Sequence, residues 1–212
     1  MVLIGRDEYE LGLLSCDIAV RYNLLCRTVV LDVLDENFAP DTLLERIGNF
    51  DEMIIVLGDL PHEDLFLPHG VAYSVHVNYT APAIIATSAA AYLAKKGAGS
   101  ITIVSSVAGD RGRQSNYPYG AAKAALNTFA AGLRNRYAKQ GVHIMTVKPG
   151  FIDTPMTWDL SSPLIAGRHY AARIIARAMK KKKDCIYVPF YWRMIMTIIC
   201  LIPERIFKRL SL

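Results

Sequence analysis

The sequence contains little cysteine, no closely spaced cysteine pair and no segment of biased composition. A zinc site or a disulfide framework would need closely spaced cysteines, so neither is expected. We predict buried thiols in a reducing compartment at the four positions Cys16, Cys26, Cys185 and Cys200. Hydrophobic residues make up 52% of the 212 residues and charged residues 20%. This balance excludes a disordered chain and favours one globular domain.

Other absences limit the classes of partner. The net charge is only +5, and neither a nucleic-acid-binding module nor a groove of alternating basic and aromatic residues is recognisable, so nucleic acid is not expected. The basic run at 180–183 follows an apolar-periodic segment, which favours a solvated helix end over an anionic membrane surface. His62, His69 and His76 recur every seven residues, but prolines interrupt them, so no metal site is expected.

Short apolar segments alternate with segments of helical periodicity. The predicted strands are 2–5, 28–31, 53–57, 100–105, 143–147 and 185–188, and the predicted helices are 7–21, 40–47, 71–95, 117–139 and 168–180. This alternation predicts an α/β fold with a parallel sheet covered by helices on both faces. Ligands of such sheets bind beyond the carboxyl ends of the strands. Asp32, Gly58, Ser106 and the segment 148–150 all fall at such ends.

Ser106, Tyr119 and Lys123 form the strongest candidate for a catalytic site. Tyr119 and Lys123 are four residues apart in an alanine-rich helical segment, so both project from one helix face. Ser106 follows an apolar strand. A phenol has a pKa of about 10, and a nearby ammonium would bring it towards neutrality. The arrangement suits proton transfer to or from a carbonyl or alcohol oxygen that a hydroxyl holds in place.

A second Tyr-x-x-x-Lys occurs at Tyr92 and Lys96. The residue thirteen positions earlier is Tyr79 there, whereas it is Ser106 in the first copy. We interpret the second copy as a tyrosine at a helix end beside a solvated lysine. The active-site prediction therefore concerns Tyr119 and Lys123.

These residues resemble the active site of the short-chain dehydrogenase/reductase superfamily, a serine and a Tyr-x-x-x-Lys completed by an upstream asparagine. Asn78 is similar to that asparagine. The resemblance implies a Rossmann-like doubly wound sheet and hydride exchange between a nicotinamide and a carbinol carbon. It gives Tyr119 the proton transfer, Ser106 the substrate oxygen, and Lys123 the nicotinamide ribose. Asn78 would fix a water beside Lys123; the alternative is a structural asparagine bonded to a strand carbonyl.

The resemblance also implies cofactor contacts. Asp32 would meet the adenine, and the Pro-Gly-x-x-x-Thr segment would line the nicotinamide, with Thr154 near its carboxamide. Arg6 follows the strand that would select the ribose; a base there suits a 2′-phosphate and favours NADP(H) over NAD(H), unless Arg6 only pairs with a neighbouring acid such as Asp7 or Glu8. The implied cofactor residues are Arg6, Asp32, Gly58, Tyr119, Lys123, Pro149, Gly150, Ile152 and Thr154.

One expected motif is missing. The superfamily carries Gly-x-x-x-Gly-x-Gly between its first strand and first helix, and no such sequence occurs in the chain. Residues 1–7 resemble the second strand and its turn. We therefore expect residues 1–188 to form an N-terminally truncated Rossmann domain, with either a gap in the sheet or a sheet re-paired across it. Such a chain would bind dinucleotide weakly or not at all; the alternative function is a cofactor-free remnant acting as a binding or membrane-surface protein.

The segments after the Pro-Gly turn bear on the substrate and the location. The loop 150–167 would be a lid whose apolar residues suit a lipid-linked carbonyl substrate, unless it folds onto the core; these residues are Met156, Trp158, Leu160, Pro163 and Leu164. The tail 189–212 is apolar and then basic, and is too short to span a bilayer. It could lie at a membrane interface, or pack on the domain or on a second subunit. No N-terminal signal is recognised, so a cytoplasmic protein is expected, at most peripheral to the membrane.

Four segments, 78–81, 106–111, 115–120 and 202–207, are similar to one branch of the superfamily, the decaprenylphosphoryl-2-keto-ribose reductases. That resemblance implies a keto sugar carried on a polyprenyl phosphate as substrate. The superfamily as a whole implies a homodimer or homotetramer.

Overall fold

The computed structural model describes residues 1–60 and 65–210. Two compact units divide the chain, Met1–Phe50 and Asp51–Leu212. The C-terminal segment after residue 188, which the sequence set apart as a tail, belongs to the second unit. Each unit is described by itself.

The first unit is a two-stranded parallel sheet with two helices. Its elements are β1 (Val2–Gly5), α1 (Glu8–Tyr22), β2 (Arg27–Val30) and α2 (Pro40–Ile47). Helix α1 begins after Asp7, whose Oδ1 accepts a hydrogen bond from the Glu10 backbone N–H at 2.9 Å, as expected of an N-cap aspartate. It ends at Asn23, which takes the left-handed conformation that asparagine tolerates better than most residues.

The second unit carries a four-stranded parallel sheet in the order β3-β4-β5-β6. Its strands are β3 (Glu52–Ile55), β4 (Gly99–Val104), β5 (Val142–Pro149) and β6 (Cys185–Val188). Its helices are α3 (Pro68–Val75), α4 (Ala81–Lys96), α5 (Tyr117–Tyr137), α6 (Arg168–Lys180), α7 (Tyr191–Leu201) and α8 (Glu204–Phe207). The prediction of an α/β fold with parallel strands and flanking helices is confirmed.

The predicted helix 71–95 differs from the observed one in two ways. It starts earlier, at Pro68, because proline suits the first helical turn, where no backbone N–H is needed. It is also interrupted by a π-helical turn, His76–Thr80, between α3 and α4. Such turns inside helices occur frequently at functional sites. Between β3 and α3, residues 61–64 lie outside the described residues.

The strands form two sheets and not one. Within the described residues β1 pairs with β2, and β3 pairs with β4 alone, so the expected re-pairing into one sheet is not observed. The predicted strand 53–57 is shorter in the structure, and the expectation of helices over both faces of the sheet does not hold there: Ile54 of β3 and Val56 just after it are exposed by 52% and 69%. Among the described residues β3 is also an edge strand, paired with β4 alone.

The cysteine prediction was wrong with respect to burial. All four cysteines are free thiols, but Cys16, Cys185 and Cys200 are exposed and Cys26 is half-buried. Sequence spacing shows which cysteines could pair, but not which helix face each one occupies.

The segment after β6 packs on the domain by one of its faces. Trp192 and Met196 of α7 are buried with Val107 in one apolar cluster, against which Phe151 and Ile195 also pack. None of the helices in residues 1–60 and 65–210 has the length and apolarity needed to cross a membrane.

Candidate active site

Ser106 lies just beyond the carboxyl end of β4. Its extended backbone ends the strand, and its Oγ accepts a hydrogen bond from the Ala108 backbone N–H at 3.1 Å. This bond caps a 3₁₀ turn at Val107–Asp110. The cap uses the oxygen as an acceptor, so the hydroxyl proton remains available to a partner.

Tyr119 and Lys123 lie on α5, one turn apart, and both are buried, with 7% and 1% of their surface exposed. The Ser106 hydroxyl lies near enough to the Tyr119 phenol to lower the pKa of that phenol. The Lys123 Nζ lies 5.6 Å from the centroid of the Tyr119 ring. The three side chains that the sequence singles out therefore lie together in the second unit.

Two glycines allow the Ser106 turn to approach α5 this closely. A Cβ on Gly109 would lie 2.6 Å from the backbone carbon of Lys123, and one on Gly120 would lie 3.0 Å from the Ala108 carbonyl oxygen. Both contacts are with backbone, which cannot move aside as a flexible side chain can. The absence of a side chain at these positions thus sets the distance between the serine and the tyrosine.

The Lys123 ammonium is held at the end of β3. Its Nζ donates a hydrogen bond to the Leu57 carbonyl oxygen at 3.0 Å, and a Cβ on Gly58 would come within 2.9 Å of it. Burial lowers the pKa of Lys123 from 10.5 to about 8, because a low-dielectric surrounding penalises the charged form. At neutral pH the group is still largely a cation.

The pKa of Tyr119 is raised above its ordinary value of 10, because burial penalises the phenolate, and the hydrogen bond from Ser106 opposes this rise only in part. The expectation that Lys123 brings this pKa towards neutrality was therefore wrong for this structure. Desolvation of the phenol outweighs the attraction of an ammonium several ångströms from the ring. At neutral pH Tyr119 consequently carries its proton and is ready to act as an acid.

Asn78 is fully buried in the π-helical turn. Its Oδ1 accepts from the Asp59 backbone N–H at 3.1 Å, and its Nδ2 donates to the Asp59 carbonyl at 2.8 Å. These contacts match the structural alternative, in which the amide binds backbone just past β3. The same Oδ1 would lie 3.2 Å from a Cβ on Gly58, so Asn78 and Lys123 converge on that glycine.

The Pro-Gly-x-x-x-Thr segment begins as β5 ends. Pro149 pairs with Val188 in the sheet, and the Gly150 N–H donates to the Val188 carbonyl at 2.9 Å. Ile152 forms an isolated bridge with Ala166, which closes the predicted lid loop at its base. Thr154 caps a 3₁₀ turn, Pro155–Thr157, and its Oγ1 donates to the Ile152 carbonyl at 3.2 Å.

Arg6 and Asp32 belong to the first unit and follow its two strands. Arg6 is exposed after β1. Asp32 is exposed after β2, where its Oδ1 accepts from the Leu34 N–H at 2.9 Å. Both positions thus lie in the unit Met1–Phe50, whereas Ser106 lies in the unit Asp51–Leu212.

Sequence reasoning missed a buried charge cluster next to the site. The Asp110 carboxylate accepts from the Lys148 Nζ at 2.6 Å and from the Tyr187 hydroxyl at 2.9 Å. Burial opposes the charge of Lys148, but the hydrogen bond and charge of Asp110 outweigh it and raise the lysine pKa. The cluster ties the turn after Ser106 to the ends of β5 and β6.

Arg111 was also missed, and it ties the same turn to the C-terminal helices. One of its guanidinium nitrogens donates to the Ile202 carbonyl at 2.7 Å, and another pairs with Glu204 at 2.9 Å. The guanidinium also stacks on Phe207, 3.7 Å from the ring centroid. Partners some ninety residues away leave no local pattern that could have revealed this role.

The second Tyr-x-x-x-Lys has a different environment. Lys96 pairs with Asp51 at 2.7 Å and lies 5.8 Å from the centroid of the Tyr92 ring. Among the histidines considered for metal binding, His62 lies outside the described residues. Across the part of the chain that is described, no three His, Cys, Asp or Glu side chains group closely enough to hold an ion.

A family model matches the central part of the chain. The model for the short chain dehydrogenases matches residues 41–164, which is more than half of the 212 residues. The chain belongs to the short chain dehydrogenase family.

Similar curated proteins include uncharacterized oxidoreductases of two actinobacterial genera, Mycobacterium and Streptomyces. An uncharacterized oxidoreductase of Mycobacterium tuberculosis is 35% identical over 156 residues, which are 73% of this chain and 62% of that protein. One from Streptomyces coelicolor is 28% identical over 189 residues, 87% of this chain and 75% of the relative. The chain thus spans less than two thirds of the length of the mycobacterial protein that it matches.

Solved short chain dehydrogenases share the fold. One from Burkholderia cenocepacia, in complex with NADP, has a TM-score of 0.80 at 21% identity, covering 98% of this chain and 85% of its own. One from Sphingobium yanoikuyae, in complex with NADPH, has a TM-score of 0.80 at 17% identity over 96% and 86%. A bulky-bulky ketone specific alcohol dehydrogenase from Comamonas testosteroni has a TM-score of 0.78 at 18% identity over 96% and 84%. At these identities the likeness establishes the fold.

The nicotinamide cofactor that the family implies fits one part of the site. Lys123 presents a buried ammonium beside exposed Gly58, where the missing Cβ leaves room next to the nitrogen. An ammonium has three donors, and Leu57 takes one of them. Such donors suit a ribose, and the two hydroxyls of Ser106 and Tyr119 suit a carbonyl oxygen. The glycine-rich turn for a pyrophosphate is not part of the sequence, so this fit concerns the nicotinamide end alone.

Proposed function

We propose that this short chain dehydrogenase reduces a ketone to a secondary alcohol with NADPH. The observation that supports the proposal most directly is the convergence of the Ser106 turn, the buried Tyr119 phenol and the buried Lys123 ammonium in one place. Tyr119 is protonated at neutral pH, which is the form that a reduction requires. Reduction is therefore the direction that we propose.

Each residue has a stated task in this reaction. Ser106 donates a hydrogen bond to the ketone oxygen and holds it next to Tyr119. Tyr119 gives its proton to that oxygen as negative charge develops there, and the Lys123 cation stabilises the phenolate that remains. The nicotinamide, when bound, supplies the hydride. Lys123 would hold its ribose, Asn78 would fix a nearby water, and Pro149, Gly150, Ile152 and Thr154 would line its ring.

The preference for NADP(H) rests on Arg6. Within the described residues the alternative ion pairs with Asp7 or Glu8 do not form, since Asp7 instead caps α1. An exposed guanidinium after the first strand suits a 2′-phosphate. Asp32 would meet the adenine, and the Burkholderia and Sphingobium neighbours hold NADP and NADPH.

The substrate that we propose is large and apolar. Trp158 and Leu160 of the loop 150–167 are exposed by 67% and 43%, which speaks against a loop folded fully onto the core. Exposed apolar side chains on such a loop suit a lipid-linked ketone. The segments shared with the decaprenylphosphoryl-2-keto-ribose reductases favour a polyprenyl-phosphate-linked keto sugar. A homodimer or homotetramer is part of the same proposal.

Replacing Tyr119 by phenylalanine tests the reaction, because it removes one oxygen from the site and little else. NADPH oxidation in the presence of a bulky apolar ketone is followed for the wild-type protein and for Tyr119→Phe. We expect turnover to fall by at least about a thousandfold, as when a required acid is lost. Tyr92→Phe, the other Tyr-x-x-x-Lys tyrosine, is the matched control and should retain full activity. Equal turnover in both variants would remove Tyr119 from the mechanism.

A second candidate is a cofactor-free binding protein, favoured by the lack of a glycine-rich turn. Titrating NADPH against the 212-residue chain separates the two. The remnant hypothesis expects no saturable binding, whereas the reductase needs at least weak binding that Lys123→Met abolishes. Sub-micromolar affinity would contradict the expectation that this chain binds dinucleotide weakly.

A further inference from the structure

Helix α7 has two faces with opposite roles. The inward face carries Trp192 and Met196, which are 3% and 1% exposed and pack with Val107, next to Ser106. Trp192 also fills the space in front of Gly150, where a Cβ would lie 2.0 Å from its Nε1. The helix is therefore fixed against both turns of the candidate active site.

The outward face of α7 is a stripe of large apolar side chains without cover. Phe190, Met194, Ile198 and Leu201 are exposed by 72%, 65%, 64% and 76%. Their spacing of four, four and three residues places them along one side of a helix. Four exposed apolar side chains in one row are more than isolated surface residues would give.

Basic side chains accompany this stripe. Arg193 lies on α7 itself, and Arg205, Lys208 and Arg209 follow on and after α8; all four are exposed. The acid of the segment, Glu204, is already paired with Arg111 at 2.9 Å. The surface that the segment 189–210 presents is thus apolar and positively charged.

We propose that the outward face of α7, together with the basic residues around α8, docks on an anionic lipid bilayer. The stripe would enter the boundary between headgroups and acyl chains, and the four bases would face lipid phosphates. A second copy of the chain fits this face poorly. A twofold interface sets the same patch of each copy against itself. The four basic residues of one copy would then face those of the other, and Glu204 could not neutralise them because it is already paired with Arg111.

The docking surface is ordered in advance. Arg111 binds the Ile202 carbonyl and Glu204, and stacks on Phe207, so the turn between α7 and α8 is tied to the domain. A preformed surface loses little conformational entropy on binding.

The loop 150–167 contacts α7, so docking of α7 on a membrane would place that loop near the lipids. The Tyr191 hydroxyl on α7 donates to the Leu164 carbonyl in the loop 150–167 at 3.2 Å. A bilayer on the outward face of α7 would therefore lie beside the loop through which a lipid-linked ketone enters. This delivery step rests on the proposed reductase function, whereas the docking itself does not.

Vesicle flotation tests the docking directly. The wild-type chain is mixed with vesicles of phosphatidylcholine alone or of phosphatidylcholine with phosphatidylglycerol. We expect binding to the anionic vesicles, weakened by salt, and much less binding to the neutral ones. Met194→Glu with Ile198→Glu should abolish flotation. The matched control is Tyr9→Glu with Val20→Glu, since these residues are exposed by 73% and 86% on α1 and the charge change is identical.

A second pair of substitutions isolates the charge. Each base near an anionic surface strengthens binding by roughly fivefold. Arg205→Gln with Arg209→Gln should therefore weaken binding to the anionic vesicles by about thirtyfold and leave the thermal unfolding temperature unchanged.

Two results would overturn the proposal. The first is equal flotation of the wild-type protein and the Met194→Glu, Ile198→Glu variant. The second is that the wild-type protein does not float and forms an oligomer, measured by light scattering, that dissociates in the Met194→Glu, Ile198→Glu variant. This result would make the face an interface between two copies of the chain. Tyr119→Phe should float like wild type, so failure of the reductase function and failure of the docking remain distinguishable.

Discussion

The Lys123 ammonium donates a hydrogen bond to the Leu57 carbonyl oxygen at 3.0 Å, while only 1% of the lysine is exposed. The carbonyl lies just past β3, and the lysine is on α5, so this bond joins an edge strand to the helix that carries Tyr119. A buried cation with a neutral partner is costly, and its pKa of about 8 expresses that cost. The stability of the second unit is therefore linked to the charge of this group.

Replacing Lys123 by methionine should stabilise the protein at neutral pH. The fall in pKa from 10.5 to about 8 corresponds to roughly 3 kcal/mol, from which the loss of the Leu57 hydrogen bond subtracts about 1 kcal/mol. Chemical denaturation near pH 7 should show a gain of about 2 kcal/mol in the free energy of unfolding. A loss of stability in Lys123→Met would show that the ammonium is better satisfied than its burial indicates.

The same pair of proteins predicts a pH dependence. Between about pH 8 and 10.5 the unfolded chain binds more protons at Lys123 than the folded chain, so wild-type stability rises with pH relative to Lys123→Met. Tyr119 acts in the opposite sense, because its raised pKa removes stability above about pH 10. Unfolding measured across this range should show the gap between the two proteins closing; a constant gap would contradict the assignment.

Gly109 offers a test of the spacing between Ser106 and Tyr119. In Gly109→Ala the new Cβ would meet the backbone of α5 at 2.6 Å, so the turn after Ser106 must move. We expect a loss of about 2 kcal/mol in stability, typical of overpacking, together with lower reductase activity. Gly132→Ala, also on α5, has nothing within 4 Å of its Cβ and should gain about 0.5 to 1 kcal/mol. The same stability change in both variants would exclude a steric role for Gly109.

Asp110 should be needed for the stability of the charge cluster. Asp110→Asn leaves the Lys148 ammonium, whose side chain is 15% exposed, without its counter-charge. We expect a loss of about 2 kcal/mol or more, because an unpaired and largely buried charge is left behind. Lys148→Met in the same background should restore part of that loss in a double-mutant cycle. Strictly additive effects would show that the two groups do not interact.

The exposed residue on the edge strand of the second sheet predicts that molecules of this protein associate with each other at high concentration. Ile54 is 52% exposed on the edge strand β3, and exposed apolar edge strands invite pairing between molecules. Ile54→Lys should raise the concentration at which the protein remains soluble and monodisperse. Light scattering at increasing concentration measures this, and Thr197→Lys on the exposed side of α7 controls for added charge.

Local patterns predicted most of the fold and the centre of the site. Helical spacing puts Tyr119 and Lys123 on one face, and an apolar strand delivers Ser106 to the same edge. The sequence could not predict that burial would outweigh the ammonium at the Tyr119 phenol, because desolvation depends on packing from several elements. The role of Arg111 could not be predicted for a related reason: its partners are far away in the chain, and no periodicity of the sequence connects them to it.

The Trp192 indole fills the space that a side chain at position 150 would need. Neither position can vary alone without a clash or a void. Among relatives that keep a C-terminal helix here, we expect the two positions to change in concert, with a larger residue at 150 matched by a smaller one at 192. An alignment of such relatives would then reveal this coupling between the turn after β5 and a helix some forty residues later in the chain.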